Sequence, residues 1–474
     1  MSRPEPTRRR FLKTLAAAAA LPALPLSAAE KSAKAARLPR GAVVPDKPPF
    51  PVLEGLRLTP PEGILREVAP FRALAGGKAP ADARARLGCT HVSGQYWFTG
   101  KPFLTEGAER VRDLGFGGLK LWFTKADGTA RGFREGDAAP GRNIGYLPNS
   151  DWKLPADWSL AQLARHPYYE AAFALPFSAF ALEVYPVNAN ADARRAGFDV
   201  SPDSDWDAEE RGIYELARHL LEAHRGREVT FILQNWEGDW MFRGGARKHW
   251  TAKNFGAAEV GLRADTMVNW FAARQRGVER ARAAVAGSKC RVLHAVEVNK
   301  VFDSLAGLPT LCTHVLPRVR VDLLSWSCYD GMRTGDDSAE FSAVGIWQGV
   351  EILRHCAKTT TLTDARGRSQ VMLGEVGVPE MRMLKRLGAE KARRATLAVL
   401  DGCHAAGFAL GMPWMFYWEL FCNELTDAAK AARAGTGVLA KATAEELNGF
   451  WLVRPDGTRS WAGEYLGGLL GRVG

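Results

Sequence analysis

The chain has 474 residues, of which 46% are hydrophobic and 24% are charged. This balance is typical of a globular protein with a sizeable core, and it excludes a largely disordered chain and a membrane protein with many spans. The formal net charge is +11, but residues 1–29 contribute five basic residues against one acidic residue, so the remainder carries +7. Because that excess is spread along the chain without an aromatic-studded basic run, we expect a solvated basic surface and no nucleic-acid partner.

The N-terminus carries a targeting pattern. The stretch from Thr7 to Lys13 reads Thr-Arg-Arg-Arg-Phe-Leu-Lys, and an alanine- and leucine-rich stretch follows it up to Ala23. The pattern resembles a twin-arginine export signal, and Ser27-Ala28-Ala29 offers small residues for cleavage. The apolar stretch is shorter than the roughly 20 residues of a membrane span. We therefore expect a signal peptide over 1–29, a periplasmic or secreted protein and no stable membrane insertion after cleavage. The alternatives are an uncleaved anchor and a basic start that arose by chance.

Residues 30–61 are rich in proline, alanine and lysine and are interpreted as a linker or a strap. From residue 62 to 474, short apolar runs alternate with amphipathic helical stretches. The runs are Cys89–Trp97, Gly118–Phe123, Ser178–Tyr185, Val229–Glu237, Arg291–Val298, Val321–Tyr329, Gln370–Val376 and Ala409–Trp418. The clearest helical stretches are Leu160–Leu175, Glu209–His224, Ala264–Ala286, Phe341–Cys356 and Lys391–Ala406, with Trp461–Leu470 as the last.

Eight such strands with intervening helices predict an α/β protein with a single catalytic (β/α)8 TIM barrel over 62–474. A doubly wound sheet would also alternate, but no Gly-x-Gly-x-x-Gly follows the first run. The stretch from Lys125 to Asp157 is rich in glycine, proline and aspartate, so we expect a long loop over the active face.

Two glutamates stand at the ends of apolar runs. Glu237 closes Val-Thr-Phe-Ile-Leu-Gln-Asn-Trp-Glu, and Glu375 lies in Gln-Val-Met-Leu-Gly-Glu-Val. Carboxyl ends of barrel strands meet at one face, where catalytic residues sit. Cleavage of a glycosidic bond requires two converging carboxyl groups, so the pair indicates a glycosidase.

Glutamates at the ends of the fourth and seventh strands resemble the pattern of the large clan of barrel-fold retaining glycoside hydrolases, the family 5-like cellulases, mannanases and β-galactosidases. The resemblance implies that Glu237 is the acid/base and Glu375 the nucleophile. It also implies an oligo- or polysaccharide substrate and no cofactor.

The chain departs from the clan at one point, because the clan places an asparagine directly before the acid/base and this chain has Asn235-Trp236-Glu237. In a regular strand, Asn235 and Glu237 would share a face and Trp236 would point away, whereas a bulge would restore the usual geometry. Asp239 is the fallback acid. The resemblance assigns Asn235 to substrate binding.

Further sugar-binding candidates come from the other strand ends. Tyr329 matches the clan tyrosine that hydrogen-bonds the nucleophile, and Trp418 matches the tryptophan that floors the sugar site, with Trp414 as second choice. The alternative for the aromatic candidates is a place in the core, which large aromatic residues also fill. The remaining candidates for the sugar-facing surface are Trp97, Trp122, Lys120 and Trp240.

The histidines show neither His-x-x-x-His nor His-Glu-x-x-His, and the seven cysteines show no Cys-x-x-Cys, so local motifs predict no metal site and no disulfide framework. Two alternatives remain at the level of the sequence. One is a non-catalytic carbohydrate-binding barrel, in which the carboxylates would be too far apart. The other is an exported, cofactor-bearing redox protein.

Overall fold

The computed structural model describes residues 41–123, 158–186, 200–244, 256–334, 339–358, 360–433 and 441–471. The export signal and the loop expected from Lys125 to Asp157 lie outside the described residues. No helix within those ranges is long and apolar enough to cross a membrane.

Parallel strands form a closed barrel in which each pairs with the next along the chain and β1 also pairs with β8. The predicted fold class is therefore confirmed. The strands are β1 Leu87–Thr90, β2 Gly118–Phe123, β3 Ala179–Val184, β4 Thr230–Gln234, β5 Arg291–Val298, β6 Leu323–Ser327, β7 Val371–Val376 and β8 Met415–Tyr417.

Helices cover the outside of the barrel and connect its strands. They are α1 Pro61–Val68, α2 Ala83–Arg86, α3 Phe103–Asp113, α4 Leu160–Ala164, α5 Pro167–Ala174, α6 Trp206–Ala223, α7 Gly238–Phe242, α8 Ala257–Ala284, α9 Leu311–His314, α10 Ala339–Cys356, α11 Glu380–Leu387, α12 Ala389–Ala409, α13 Asp427–Arg433 and α14 Trp461–Gly471.

The predicted boundaries fail where a turn residue interrupts an apolar run. The eighth predicted strand began at Ala409, which instead ends α12; Gly411, with φ of 68°, then turns the chain toward β8. The helix expected over Leu160–Leu175 is two helices, because Pro167 begins the second one and lacks the amide hydrogen that a continuous helix needs.

The segment before α1 lies against the helical layer. Thr59 donates its backbone N–H to the Glu351 carboxylate on α10 over 2.9 Å, and its carbonyl accepts the Gln348 side chain over 3.0 Å. The backbone N–H of Ala42 donates to the oxygen of the same Gln348 side chain. Residues 41–59 thus pack on α10, on the outside of the barrel.

The barrel interior changes character from its amino end to its carboxyl end. Small and apolar side chains fill the amino end and the middle: Ala179, Ala181, Ile232, Leu293, Ala295, Leu323, Met372, Trp414 and Phe416. One strand repeat further along, inward positions hold polar groups, including Glu183, Gln234 and Glu297, which are fully buried. Because side chains alternate along each strand, the charged layer lies directly above the apolar one.

Strand β7 contains an irregularity that aims its glutamate. The pairing of β7 with β6 and with β8 shifts register next to Gly374, and Ser327 on β6 is paired with Glu375. An extra residue in a strand reverses the alternation of side chains beyond it. Glu375 thereby points into the barrel, although Met372, three residues earlier, also points inward.

Candidate active site

A cleft of about 510 Å³ opens at the carboxyl end of the barrel, and both predicted glutamates line it. Its aromatic lining is Trp122, Trp236, Tyr329, Trp418 and Phe450. Trp122 belongs to β2, and the others follow β4, β6 and β8, so the rings approach the cleft from several sides. Flat aromatic surfaces around two carboxyl groups suit a ligand with apolar faces and reactive oxygens.

A single hydroxyl group joins the two carboxyl groups. Ser327 Oγ lies 2.8 Å from Oε1 of Glu237 and 3.1 Å from Oε2 of Glu375. A hydroxyl carries one proton, so Ser327 donates to one carboxyl and accepts from the other when that one is protonated. The contacts therefore suit a pair that holds one proton between them.

Lys120 supplies a positive charge beneath the pair. Its Nζ lies 2.9 Å from Glu183, 3.1 Å from Glu297 and 3.0 Å from Glu375. Its side chain is fully buried, so these contacts are shielded from water. Burial lowers the pKa of Lys120, but the three carboxylates outweigh that effect, so the pKa is raised and the amine stays protonated.

The same carboxylates have the geometry of a cation site. Glu183, Glu297 and Glu375 each offer an oxygen, and these oxygens lie within 4.8 Å of one another. The Lys120 ammonium contacts all three groups, so it takes the place that a metal ion would need. The cluster is therefore one in which an internal ammonium balances the charge of the carboxylates.

The environment shifts the pKa of both cleft glutamates upward. Burial raises the pKa of Glu237 to about 7; the Ser327 hydrogen bond opposes the rise and the charge of Glu297 adds to it. Burial likewise raises the pKa of Glu375 well above its ordinary value, with the Lys120 ammonium opposing the rise and the charges of Glu297 and Glu237 adding to it. Neighbouring carboxyls of this kind titrate as a pair.

Which carboxyl of the pair keeps the proton depends on the charges that contact each one. Lys120 decides the point, because its ammonium contacts Glu375 directly and stabilises the charged form there. Among the described residues, Glu237 has no ion pair with an ammonium group. Lys300 and Lys120 lower its pKa only at longer range, and the charge of Glu297 raises it. The favoured arrangement is a protonated Glu237 beside an ionised Glu375.

Three of the predicted binding residues lie in the cleft: Trp122, Tyr329 and Trp418. Burial, with added effect from the charges of Glu375 and Glu237, raises the pKa of Tyr329 well above its usual value, so its hydroxyl remains protonated beside the pair. The hydrogen bond expected from this tyrosine to Glu375 is instead made by Ser327.

Asn235 and Asp239 have structural contacts. Asn235 is buried, accepts the backbone N–H of Glu297 over 2.9 Å and donates to the carbonyl of the same residue over 2.9 Å. Asp239 is fully buried and accepts backbone N–H groups from Asn299, Lys300 and Leu311. Strand β4 ends at Gln234, so the chain is already turning at Trp236, which consequently faces the cleft.

The remaining predicted residues lie elsewhere. Trp414 precedes β8 at the amino end of the barrel, in a pocket that also contains Ser178 and Thr230. Lys300 lies over the ring of Trp240, and Lys441 lies over the ring of Trp97. Lys120 contacts carboxylates inside the barrel and is fully buried, so it acts on the cleft through Glu375.

Sequence reasoning missed Glu183, Glu297 and Ser327. Glu183 and Glu297 stand at the carboxyl ends of β3 and β5. The rule that singled out Glu237 and Glu375, a carboxylate at the end of an apolar run, applies to both and would have found them. Ser327 carried no such signal, because a serine at a strand end is common in loops and caps.

Comparisons with known proteins match two parts of the chain, the N-terminal targeting segment and the barrel. Residues 5–25 match the model of the TAT (twin-arginine translocation) pathway signal sequence, which indicates export through that pathway. No curated protein matches the chain.

Among solved structures, the chain is similar to a family 5 xyloglucanase from Paenibacillus pabuli, at 10% identity and a TM-score of 0.44, over 83% of this chain and 99% of that one. It is similar to a GH5-4 broad-specificity endoglucanase from an uncultured bacterium, at 14% identity and a TM-score of 0.39, over 78% and 95%. It is also similar to a Cellulomonas fimi endo-beta-1,4-mannanase double mutant, at 16% identity and a TM-score of 0.39, over 75% and 69%.

Proposed function

We propose that the protein is an exported glycoside hydrolase that cleaves a β-linked glycosidic bond with retention of configuration. The observation that carries the proposal is the Ser327 hydroxyl, which contacts the carboxyl groups of Glu237 and Glu375 at once in an aromatic-lined cleft. The substrate is an oligo- or polysaccharide, because the cleft offers several aromatic faces for stacking against sugar rings.

The spacing of the carboxyls supports retention over inversion. Their bridged oxygens can be no farther apart than the contacts of 2.8 and 3.1 Å laid end to end. Inverting enzymes need room for a water molecule and separate their carboxyls by roughly 6.5 to 9.5 Å, whereas retaining enzymes need about 5 to 5.5 Å. A carbohydrate-binding barrel without catalysis has no need for such proximity.

In the first step, the ionised Glu375 attacks the anomeric carbon and forms an ester with the sugar. The bond from that carbon to the leaving oxygen breaks, and Glu237 gives its proton to the oxygen. In the second step, the Glu237 carboxylate takes a proton from water, and the resulting hydroxide displaces Glu375 from the sugar. Both glutamates return to their starting states. Trp418 and Trp122 hold the sugar in the cleft.

The test is hydrolysis of activated aryl β-glycosides and of β-glucan, mannan and xylan by the wild type, Glu375→Ala and Glu237→Ala. We expect Glu375→Ala to be inactive. We expect Glu237→Ala to lose activity toward polymers but to regain turnover of aryl glycosides with azide, which replaces water and yields a β-glycosyl azide. The configuration of that azide, read by proton NMR, reports retention.

Asp239→Asn is the matched control, since it alters a nearby carboxylate that is turned toward the backbone. Circular dichroism first verifies that this variant is folded. It should then have the activity of the wild type without added azide. Full activity in both glutamate variants would remove the pair from catalysis. A wild type that binds the polymers without cleaving any of them would favour the carbohydrate-binding alternative.

A further inference from the structure

Glu297 accepts four hydrogen bonds beneath the cleft. Its Oε2 accepts the Gln234 amide over 2.7 Å, the Lys120 ammonium over 3.1 Å and the Ser325 hydroxyl over 3.1 Å. Its Oε1 accepts the backbone N–H of Glu237 over 3.0 Å. Four donors saturate the acceptor capacity of a carboxylate, and they come from β2, β4, β6 and the turn after β4.

One set of these contacts fixes the turn that carries Glu237. The Glu297 carboxylate binds the backbone of Glu237, while the Asn235 side chain exchanges two hydrogen bonds with the backbone of Glu297. Gly238 completes the arrangement, because a Cβ there would lie 2.6 Å from the Glu297 carbonyl oxygen. The position of Glu237 in the cleft is therefore set by β5 as much as by its own strand.

The other set fixes Glu375. Lys120 contacts Glu297 and Glu375 with the same ammonium, so Glu297 restricts where that ammonium lies. Lys120 also donates to the carbonyl of Gly374 over 3.2 Å. A Cβ on Gly374 would lie 2.1 Å from Oε2 of Glu297, so the glycine allows the carboxylate to approach the bulge in β7.

We propose that Glu297 is a positioning residue that holds both carboxyls of the cleft, Glu237 through its backbone and Glu375 through Lys120. Its carboxylate has an oxygen within 4.8 Å of an oxygen of Glu375 and contacts the backbone N–H of Glu237, so its charge also acts on the pair. This inference rests on the proposed function for its catalytic meaning, but the contacts and the charge effect exist whether or not a sugar is cleaved.

The charges around Glu237 come from several elements. Glu297 on β5 raises its pKa, whereas Lys300 after β5 and Lys120 on β2 lower it, and Ser327 on β6 lowers it by hydrogen bonding. Around Glu375, the charges of Glu297, Glu237 and Glu183 raise the pKa against Lys120. Glu183 thus shares with Glu297 the contact to Lys120 and the effect on Glu375, but it makes no contact with the Glu237 backbone. It is the matched control.

The experiment follows the side-chain carboxyls of the whole protein by carbon-13 NMR as the pH is raised, after incorporation of labelled glutamate. Glu237→Gln and Glu375→Gln identify the two resonances. We expect Glu297→Gln to lower the titration midpoint of Glu237 by about one pH unit, because a like charge nearby is removed. Glu183→Gln should not lower that midpoint, and both variants should lower the midpoint of Glu375.

Glu297→Asp separates charge from reach, since it keeps the negative charge but draws back from the Glu237 backbone. We expect its Glu237 midpoint to stay nearer that of the wild type while kcat/KM for an aryl β-glycoside falls at least tenfold with KM little changed. It also serves as the test if Glu297→Gln does not fold.

Equal shifts of the Glu237 midpoint in Glu297→Gln and Glu183→Gln, or no shift in either, would overturn the proposal. So would a Glu297→Asp variant with the kcat/KM of the wild type. A wild type that cleaves no glycoside but shows the expected difference in midpoints would reject the proposed hydrolase and retain the positioning role of Glu297.

Discussion

Under the proposed function, the pKa of Glu237 sets the working pH of the enzyme. Burial raises that pKa to about 7, and the proposed mechanism needs a protonated Glu237 to assist the leaving oxygen. Activity is therefore present below that pKa and lost as the pH rises through it, so kcat/KM should fall about tenfold per pH unit above about pH 7. A pH profile with an aryl β-glycoside whose leaving group needs a proton measures this.

The control for that profile is Glu237→Gln, assayed with an aryl glycoside whose leaving group departs without a proton. It should show no decline near pH 7. If kcat/KM of this variant still declined near pH 7, the decline would reflect the ionisation of a group other than Glu237.

Ser327 is the residue that links the two carboxyl groups, so replacing it tests what that link contributes. Ser327→Ala deletes a hydrogen bond to charged groups, worth about 1.5 to 3 kcal/mol, so we expect kcat/KM to fall roughly 10- to 100-fold. Since the hydroxyl lowers the pKa of Glu237, its loss should raise that pKa and move the decline of kcat/KM to higher pH. The measurement is kcat/KM against pH.

Ser342→Ala makes the same chemical change at a buried position on α10. It should leave unchanged both kcat/KM and the pH at which kcat/KM declines. If Ser327→Ala had the same kcat/KM and the same pH dependence as the wild type, the bridging hydroxyl would have no part in the reaction.

At the scale of elements, the bulge in β7 links backbone geometry to charge. A Cβ on Gly374 would lie 2.1 Å from the Glu297 carboxylate and 2.2 Å from Ser325 Oγ. Gly374→Ala should therefore push Glu297 out of place, lower kcat/KM at least tenfold and cost about 1 to 3 kcal/mol of unfolding free energy. Urea denaturation and steady-state kinetics measure the two effects.

Gly261→Ala is the matched control on α8, where an added Cβ meets nothing within 4 Å. It should leave activity unchanged and raise the free energy of unfolding by up to about 1 kcal/mol, because alanine favours the helix. Equal losses of stability in the two variants would contradict the close approach at Gly374.

The elements also show where sequence reasoning stops. Strand β2 and strand β5 were predicted to the residue, because each is an apolar run with a turn or a helix on both sides. The carboxyl pair was found by the same reasoning. The bulge at Gly374 was not, because it depends on pairing with β6 and β8, and the contact of Lys120 with three carboxylates depends on the closure of the barrel. Those are long-range facts that no local pattern contains.

Across the described part of the fold, some ionisable side chains are buried in neutral form, whereas Lys120 is buried with its charge. All seven cysteines are buried and free, and burial raises the pKa of the Cys290 thiol to about 12. Thiols in such surroundings are poorly reactive, since the thiolate is the nucleophile. A group that is buried in neutral form makes stability depend on pH wherever it ionises more readily in the unfolded chain.

His404 on α12 shows in which direction pH changes the stability of the fold. Its ring is buried, its Nδ1 lies 2.7 Å from the Leu400 carbonyl oxygen, and burial lowers its pKa to about 4. The unfolded chain binds a proton below about pH 6.5, so between that pH and the folded pKa unfolding takes up a proton and stability falls as the pH falls. The full loss from this group is roughly 3 kcal/mol.

His404→Asn places an amide nitrogen where Nδ1 lies, so it can donate to the Leu400 carbonyl and stays neutral at every pH. Its unfolding free energy, relative to the wild type, should therefore rise by roughly 3 kcal/mol between pH 7.5 and pH 4, with the difference at pH 7.5 reporting the change in packing alone. Because both proteins share every other titrating group, subtracting the two curves isolates the histidine. A difference that is constant across this range would mean that His404 gains its proton without cost in the fold, and that acid stability is set elsewhere.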